Sequence, residues 1–149
     1  MNKNHVILLV EDNPDDEELT RLAFKECSFA NELVGARDGQ EALDYLHATG
    51  KYSGRDICAQ PKMVLLDLKL PKVDGLEVMQ RIRADERTKF LPVVILTSSK
   101  EEKDLVASYL LGANSYIQKP VDFNRFVEVV RQLGLYWLVL NETAVTCCK

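Results

Sequence analysis

Hydrophobic residues along this chain fall into two alternating patterns. Three stretches are almost unbroken hydrocarbon rich in β-branched side chains: Val6–Val10, Met63–Leu68 and Pro92–Thr97. Such runs predict strands buried on both faces, as at the centre of a parallel sheet. Two shorter, less apolar runs, Glu32–Arg37 and Ser115–Lys119, suit sheet edges. Between the strands the spacing changes to a helical period, giving five apolar stripes. These are Leu19, Leu22, Ala23 and Cys27; Ala42, Leu43 and Leu46; Leu76, Met79 and Ile82; Leu105, Val106, Tyr109 and Leu110; and Phe123, Phe126, Val127, Val130, Leu133 and Trp137.

Helix boundaries are written in the polar residues. Asn13 before Pro14 reads as an N-cap followed by proline at the first helical position. Asp38 and Glu41, Asp74 and Glu77, and Ser99 and Glu102 have capping-box spacing. Gly112 is a suitable stop for the fourth helix.

Strand and helix thus alternate five times, which predicts an α/β fold, a doubly wound five-stranded parallel sheet with helices on both faces. Right-handed crossovers, with strands 1, 3 and 4 central, give the flavodoxin-like order 2-1-3-4-5. The expected domain spans residues 1–138, with 139–149 as a C-terminal extension and residues 49–61 as a long polar loop.

Composition narrows the class. With 149 residues, 46% hydrophobic and 28% charged, the chain reads as one soluble domain. A net charge of −4 and a pI near 5.2 argue against a nucleic-acid surface. No apolar run approaches membrane-spanning length, and the N-terminal apolar segment is too short for a signal peptide, so a cytoplasmic location is expected. Cys27, Cys58, Cys147 and Cys148 lack metal-type spacing and are read as reduced, unpaired thiols, Cys27 as a small buried hydrophobe.

Ligands of open parallel sheets bind beyond the carboxyl ends of the strands. There the sequence places Glu11 and Asp12 after strand 1, Asp67 near the end of strand 3, Thr97 at the end of strand 4, and Lys119 with Pro120 after strand 5. Taken singly, Asp12 reads as a turn residue, Thr97 as an ordinary strand residue and Lys119 as a solvated charge. Asp67 does not: a carboxylate embedded in a hydrocarbon strand is costly to desolvate unless paired or bound to metal. Together they suit Mg²⁺-assisted phosphoryl transfer, because crowded carboxylates hold a hard divalent cation and a carboxylate can carry an aspartyl phosphate. In this reading Asp67 is the acceptor and Asp12 and Asp67 hold Mg²⁺, with Glu11 reaching it directly or through water. Lys119 and Thr97 address the phosphoryl oxygens. Asp15, Asp16, Glu17 and Glu18 are assigned instead to the positive end of the first helix.

Five blocks in order, "LLVEDN", "ARDGQEAL", "LLDLKLPKVDG", "PVVILTSS" and "GANSYIQKP", make the chain resemble the response regulator receiver domains of two-component signalling. The resemblance implies a phosphohistidine donor on a sensor histidine kinase and a backbone carbonyl of Lys69 as a further metal ligand. It also implies a switch pairing Thr97 with Tyr116, and a cis peptide between Lys119 and Pro120. The long loop and the ending "LGLYWLVLNET" resemble the single-domain regulators paired with bacterial phytochrome kinases. That likeness implies a homodimer through helix 4, strand 5 and helix 5, with Tyr109, Tyr136, Trp137 and Leu140 as candidate contacts. Alternatively, the aromatic pair simply fastens the last helix to the core. The chain leaves no room for a separate output domain, so output is expected through partner binding or phosphorelay.

Two other classes share parts of the pattern. A flavodoxin-type electron carrier needs a hydroxyl- and glycine-rich phosphate loop, where this chain has "EDNPDDEE". A haloacid-dehalogenase-type phosphatase needs a second acid two residues past its nucleophile, where this chain has Lys69.

Overall fold

The computed structural model describes residues 5–29, 31–98, 101–119 and 122–140. Five parallel strands, β1 (His5–Val10), β2 (Asn31–Ala36), β3 (Met63–Leu66), β4 (Val93–Thr97) and β5 (Ser115–Gln118), form one sheet in the order β2-β1-β3-β4-β5. Five helices alternate with them: α1 (Pro14–Cys27), α2 (Gly39–His47), α3 (Gly75–Ala84), α4 (Glu102–Leu110) and α5 (Phe123–Gly134). The fold class and strand order are those expected.

Strand alternation explains the unbroken hydrocarbon runs. Leu8, Val10, Val64, Leu66, Val93 and Ile95 face one layer with Leu43, Leu46, Met79 and Ile82 of α2 and α3. Their neighbours Ile7, Leu9, Met63, Leu65, Val94 and Leu96 face the other, with Phe24 of α1 and Phe126, Val130 and Leu133 of α5. Both faces of the central strands are covered, so both must be apolar.

Several boundaries follow the polar signals. The Asn13 side chain accepts hydrogen bonds from Asp15 N (2.9 Å) and Asp16 N (3.1 Å). Asp38 and Asp74 cap α2 and α3 by accepting from Glu41 N and Glu77 N. Gly112, at φ +95°, takes the left-handed conformation that ends α4. The cap of α4 is Glu101, so the Ser99–Glu102 spacing is not the one that starts this helix; Ser99 itself lies outside the described residues.

Two helices are rotated from the expected stripe. In α1 the buried residues are Thr20, Ala23 and Phe24, while Leu19 and Leu22 remain 43% and 44% exposed. Thr20 tolerates burial because its hydroxyl donates to the Asp16 carbonyl (2.9 Å). In α4 the predicted stripe faces outward, with Leu110 82% exposed, and the small Ser108 is buried instead. A small side chain lets the helix approach the sheet closely, and the larger apolar residues are left on the surface.

The 49–61 segment is packed rather than loose. Arg55 lies over the Tyr45 ring (4.0 Å), Tyr52 meets Tyr45 edge-on (5.1 Å), and the Tyr52 hydroxyl donates to Glu41 (3.0 Å). Cys58 in this segment is disulfide-bonded, which corrects the reading of every thiol as unpaired. A pairing made by tertiary structure leaves no spacing signal in the sequence. Cys27 is the free thiol among the described cysteines and is half-buried; Cys147 and Cys148 lie outside the described residues.

Candidate functional site

The strand ends deliver the expected residues to one edge of the sheet. Glu11 continues the β1 ladder through its N–H to the Ala36 carbonyl (2.9 Å), and its side chain is buried. Asp67 follows β3 immediately, its N–H bonded to the Val10 carbonyl (3.1 Å). Gly75 allows α3 to start hard against this turn: a Cβ there would lie 2.5 Å from the Asp67 carbonyl oxygen. Lys119 leaves β5 with its N–H on the Thr97 carbonyl (2.8 Å).

The side chains then converge on Asp67, which is 6% exposed. Its Oδ1 accepts from the Thr97 hydroxyl (2.8 Å) and the Lys69 N–H (3.1 Å). Its Oδ2 accepts from Lys119 Nζ (3.0 Å). The same ammonium reaches Glu11 Oε1 (2.7 Å) and Asp16 Oδ2 (2.9 Å), so one cation serves three carboxylates. Glu11, exposed Asp12 and Asp67 each offer an oxygen, and these atoms lie within 4.8 Å of one another.

Electrostatics follow from that crowding. Burial, reinforced by the neighbouring Asp67 charge, raises the Glu11 pKa to about 7 against the opposing pull of Lys119. Burial alone would lower the Lys119 pKa, but hydrogen bonds to Glu11 and Asp16 and the Asp67 charge outweigh it and raise it. The ammonium is held charged while the buried Glu11 resists ionisation. Lys119 meets the carboxylates of Glu11, Asp16 and Asp67, and Asp12 stands beside two of them, so negative charge is in surplus over the one ammonium. Hard oxygen donors with surplus negative charge fit a divalent cation of the Mg²⁺ type.

The other expected positions separate into three groups. Tyr116 is half-buried and packs on the α2–α3 core layer, on β5, with β4 between it and β3, the strand that leads into Asp67. Tyr109 and Tyr136 are about half exposed, whereas Trp137 is half-buried against the α1–α5 layer, its ring 4.8 Å from Tyr136. Pro120, and with it the expected cis peptide, lies outside the described residues, as does the Leu140 side chain.

Asp16 is the residue that sequence reasoning misplaced: it is a lysine partner as well as a first-turn acid. The sequence showed that a helix starting at Pro14 begins at this same sheet edge, but not which of its acids turns toward Lys119. Beside it a cavity of about 180 Å³ opens between α1 and α5, lined by Asp16, Leu19, Thr20, Lys119, Asp122, Phe123 and Phe126. A larger groove of about 570 Å³ lies between β5 and α5, away from the acidic cluster.

Comparison with known proteins accords with this geometry. Residues 7–131 match the family described as Response regulator receiver domain. The probable methanogenesis regulatory protein FilR2 of Methanothrix harundinacea is 44% identical over 93% of this chain and 86% of its own length. The response regulator Rcp1 of Synechocystis is 38% identical over 92% of this chain and 91% of its own. The Mn²⁺-bound structure of Rcp1 superimposes with a TM-score of 0.85 at 36% identity, covering 94% of this chain and 99% of that one. The phosphorylated cyanobacterial phytochrome response regulator RcpA gives a TM-score of 0.87 at 37% identity, over 95% and 99%. The chain belongs to the response regulator receiver domain family. It is a signalling protein related to phytochrome response regulators, not a classical enzyme, and such receivers work with histidine kinases.

Proposed function

We propose that Asp67 accepts a phosphoryl group from a phosphohistidine of a sensor histidine kinase, and that the transfer alters the surface formed by α4, β5 and α5. The observation that carries this reading is the hold on Asp67. Thr97 and Lys119 grip its two oxygens at 2.8 and 3.0 Å, beside the acidic pair Glu11 and Asp12. A carboxylate oxygen of Asp67 attacks phosphorus, the P–N bond of the donor breaks, and the imidazole leaves with its electron pair. Glu11, Asp12, Asp67 and the Lys69 carbonyl would hold Mg²⁺, which would supply charge neutralisation. Lys119 offsets charge on the phosphoryl oxygens, and the Thr97 hydroxyl exchanges its bond to Asp67 for one to a phosphoryl oxygen.

That exchange is the start of a two-state switch. Thr97 draws toward the phosphoryl group, Tyr116 changes its half-buried position, and the equilibrium of the α4–β5–α5 face shifts. The outward apolar residues of α4, including Tyr109, together with Tyr136, offer that face to a second copy or a downstream protein. Trp137 holds the end of α5 to the core, with the receiver unit ending near residue 138 and the remainder an extension. A cytoplasmic location is part of the same reading, and among the described residues no helix is long and apolar enough to cross a membrane.

Acetyl phosphate with Mg²⁺ tests the reading directly. Mass spectrometry should find one added phosphoryl group on the wild type, none on Asp67→Asn, and none when a chelator removes Mg²⁺. Equal labelling of Asp67→Asn would take the acceptor role away from Asp67, and repeated turnover of phosphate esters would revive the phosphatase reading.

A further inference from the structure

The acids on the first turn of α1 are not equivalent. Glu17 is matched by arginines, at 3.0 Å from Arg21 and 3.8 Å from Arg37. Asp16 instead bonds the ammonium that also holds Glu11 and Asp67, so three carboxylates from three elements converge on Lys119. Its backbone is fixed on both sides: its N–H donates to Asn13 Oδ1 (3.1 Å), and its carbonyl accepts from the Thr20 hydroxyl (2.9 Å). Yet Asp16 stands apart from the oxygen trio of Glu11, Asp12 and Asp67 that fits a cation. Its side chain is also the most exposed of the lysine's partners, 36% against 4% for Glu11 and 7% for Asp67.

Two cations are therefore assigned overlapping anions. Lys119 and a divalent ion both use Glu11 and Asp67, and neighbouring positive charges repel. Asp16 is the one partner of Lys119 that the metal does not need. We propose that Asp16 is a positioning residue that receives the Lys119 ammonium when the metal takes Glu11 and Asp67, keeping it beside the acceptor but out of the cation's place. The inference rests on the phosphoacceptor reading above and assigns a route by which Lys119 and Mg²⁺ coexist. Without Asp16, the ammonium stays on Glu11 and Asp67 and opposes the metal.

Calorimetric titration of the full chain with Mg²⁺ tests this with four variants, Asp16→Asn, Asp16→Glu, Lys119→Gln and the double substitution Asp16→Asn/Lys119→Gln, each first checked for folding by circular dichroism. Asp16→Asn should weaken Mg²⁺ binding about tenfold, the scale of losing a partner behind a metal ligand. Asp16→Glu should recover most of that loss by restoring the carboxylate. In the Lys119→Gln background, the Asp16→Asn step should change affinity by less than about twofold, because its target is gone. An equal loss in both backgrounds would mean that Asp16 acts on the metal directly, and no loss in either would leave it serving the helix end alone; each overturns the proposal. A wild type that neither binds Mg²⁺ nor takes the phosphoryl label would bring down the underlying site reading and this inference with it. That failure would show in the unmodified chain rather than in the variants.

Discussion

Lys119 and Arg83 are both cations ringed by oxygen, and the difference between their rings separates chemistry from architecture. Lys119 is surrounded by the carboxylates of Glu11, Asp16 and Asp67. Arg83 on α3 donates instead to the carbonyls of Lys89 (3.1 Å), Leu91 (2.8 Å) and Gly112 (2.7 Å) and to Asn114 Oδ1 (3.0 Å). Those acceptors are neutral and belong to the α3–β4 and α4–β5 connections, and Asn114 Oδ1 also accepts from Val93 N (2.8 Å). The Arg83 ring is complete: with a further bond from Nε to the Gly112 carbonyl (3.2 Å), five bonds join α3 to the segment before β4 and the turn after α4, and nothing further is required. At Lys119 the charges do not balance, and the excess of carboxylate asks for a second cation. The donor chemistry is alike; the charge on the acceptors makes one place a brace and the other a site.

Substitutions at the two cations should therefore fail differently. Lys119→Met leaves three crowded carboxylates without their cation and should destabilise the metal-free protein by roughly 3 kcal/mol in urea unfolding. Mg²⁺ should stabilise this variant more than the wild type, since it binds only the folded arrangement. An identical metal increment in both proteins would mean that ammonium and metal do not share the anions. Arg83→Met should cost about 2 kcal/mol by leaving carbonyls unpaired. Here Mg²⁺ should restore nothing beyond its wild-type increment, and labelling of Asp67 should be retained. Slower labelling by Arg83→Met than by the wild type would show that the brace reaches into the site.

A weaker contact, between His47 and Asp85, depends on protonation. His47 Nε2 at the end of α2 is 3.6 Å from Asp85 Oδ2, whose own pKa the Arg87 hydrogen bond pulls down to about 2. Burial lowers the His47 pKa, helped by Arg87 and Arg81 and opposed by Asp85 and Asp44. Folding thus disfavours the charged form of His47. Its contribution is fully present above the unfolded pKa of about 6.5 and is lost as pH falls through the depressed folded value. Replacing His47 by Asn should flatten the loss of stability between about pH 7.5 and pH 5.5 by less than about 1 kcal/mol. Urea midpoints at the two pH values measure this, and an unchanged slope would assign that acid sensitivity to other groups.

How much of this was legible in the chain depends on the range of the force involved. The helices, the Asn13, Asp38 and Asp74 caps and the Gly112 stop arise from contacts within a few residues, and the strands, though paired over long range, are marked by their apolar runs, so each was readable. The site was readable in part because α/β topology carries every strand end to one edge, so Glu11, Asp67, Thr97 and Lys119 could be brought together without coordinates. The rotations of α1 and α4 were not readable. Leu19, Leu22, Leu105 and Tyr109 have a correct helical period, and period alone does not say which adjoining stripe the sheet will cover. Thr20 and Ser108 took those places because a satisfied hydroxyl and a small side chain fit a close approach.

The acidic run after β1 divides along the same line. By itself the sequence determined that Glu11 and Asp12 stand at the mouth of the sheet and that a helix begins at Pro14, since strand period, cap and proline act locally. Only the tertiary structure decided that Asp16 belongs with Lys119, 103 residues away, while Glu17 belongs with Arg21 and Arg37. Adjacent acids on a helix point about 100° apart, and which of them meets a cation depends on how the helix is turned against the sheet. That turn is set by the packing of Thr20, Ala23 and Phe24, which no charge pattern encodes.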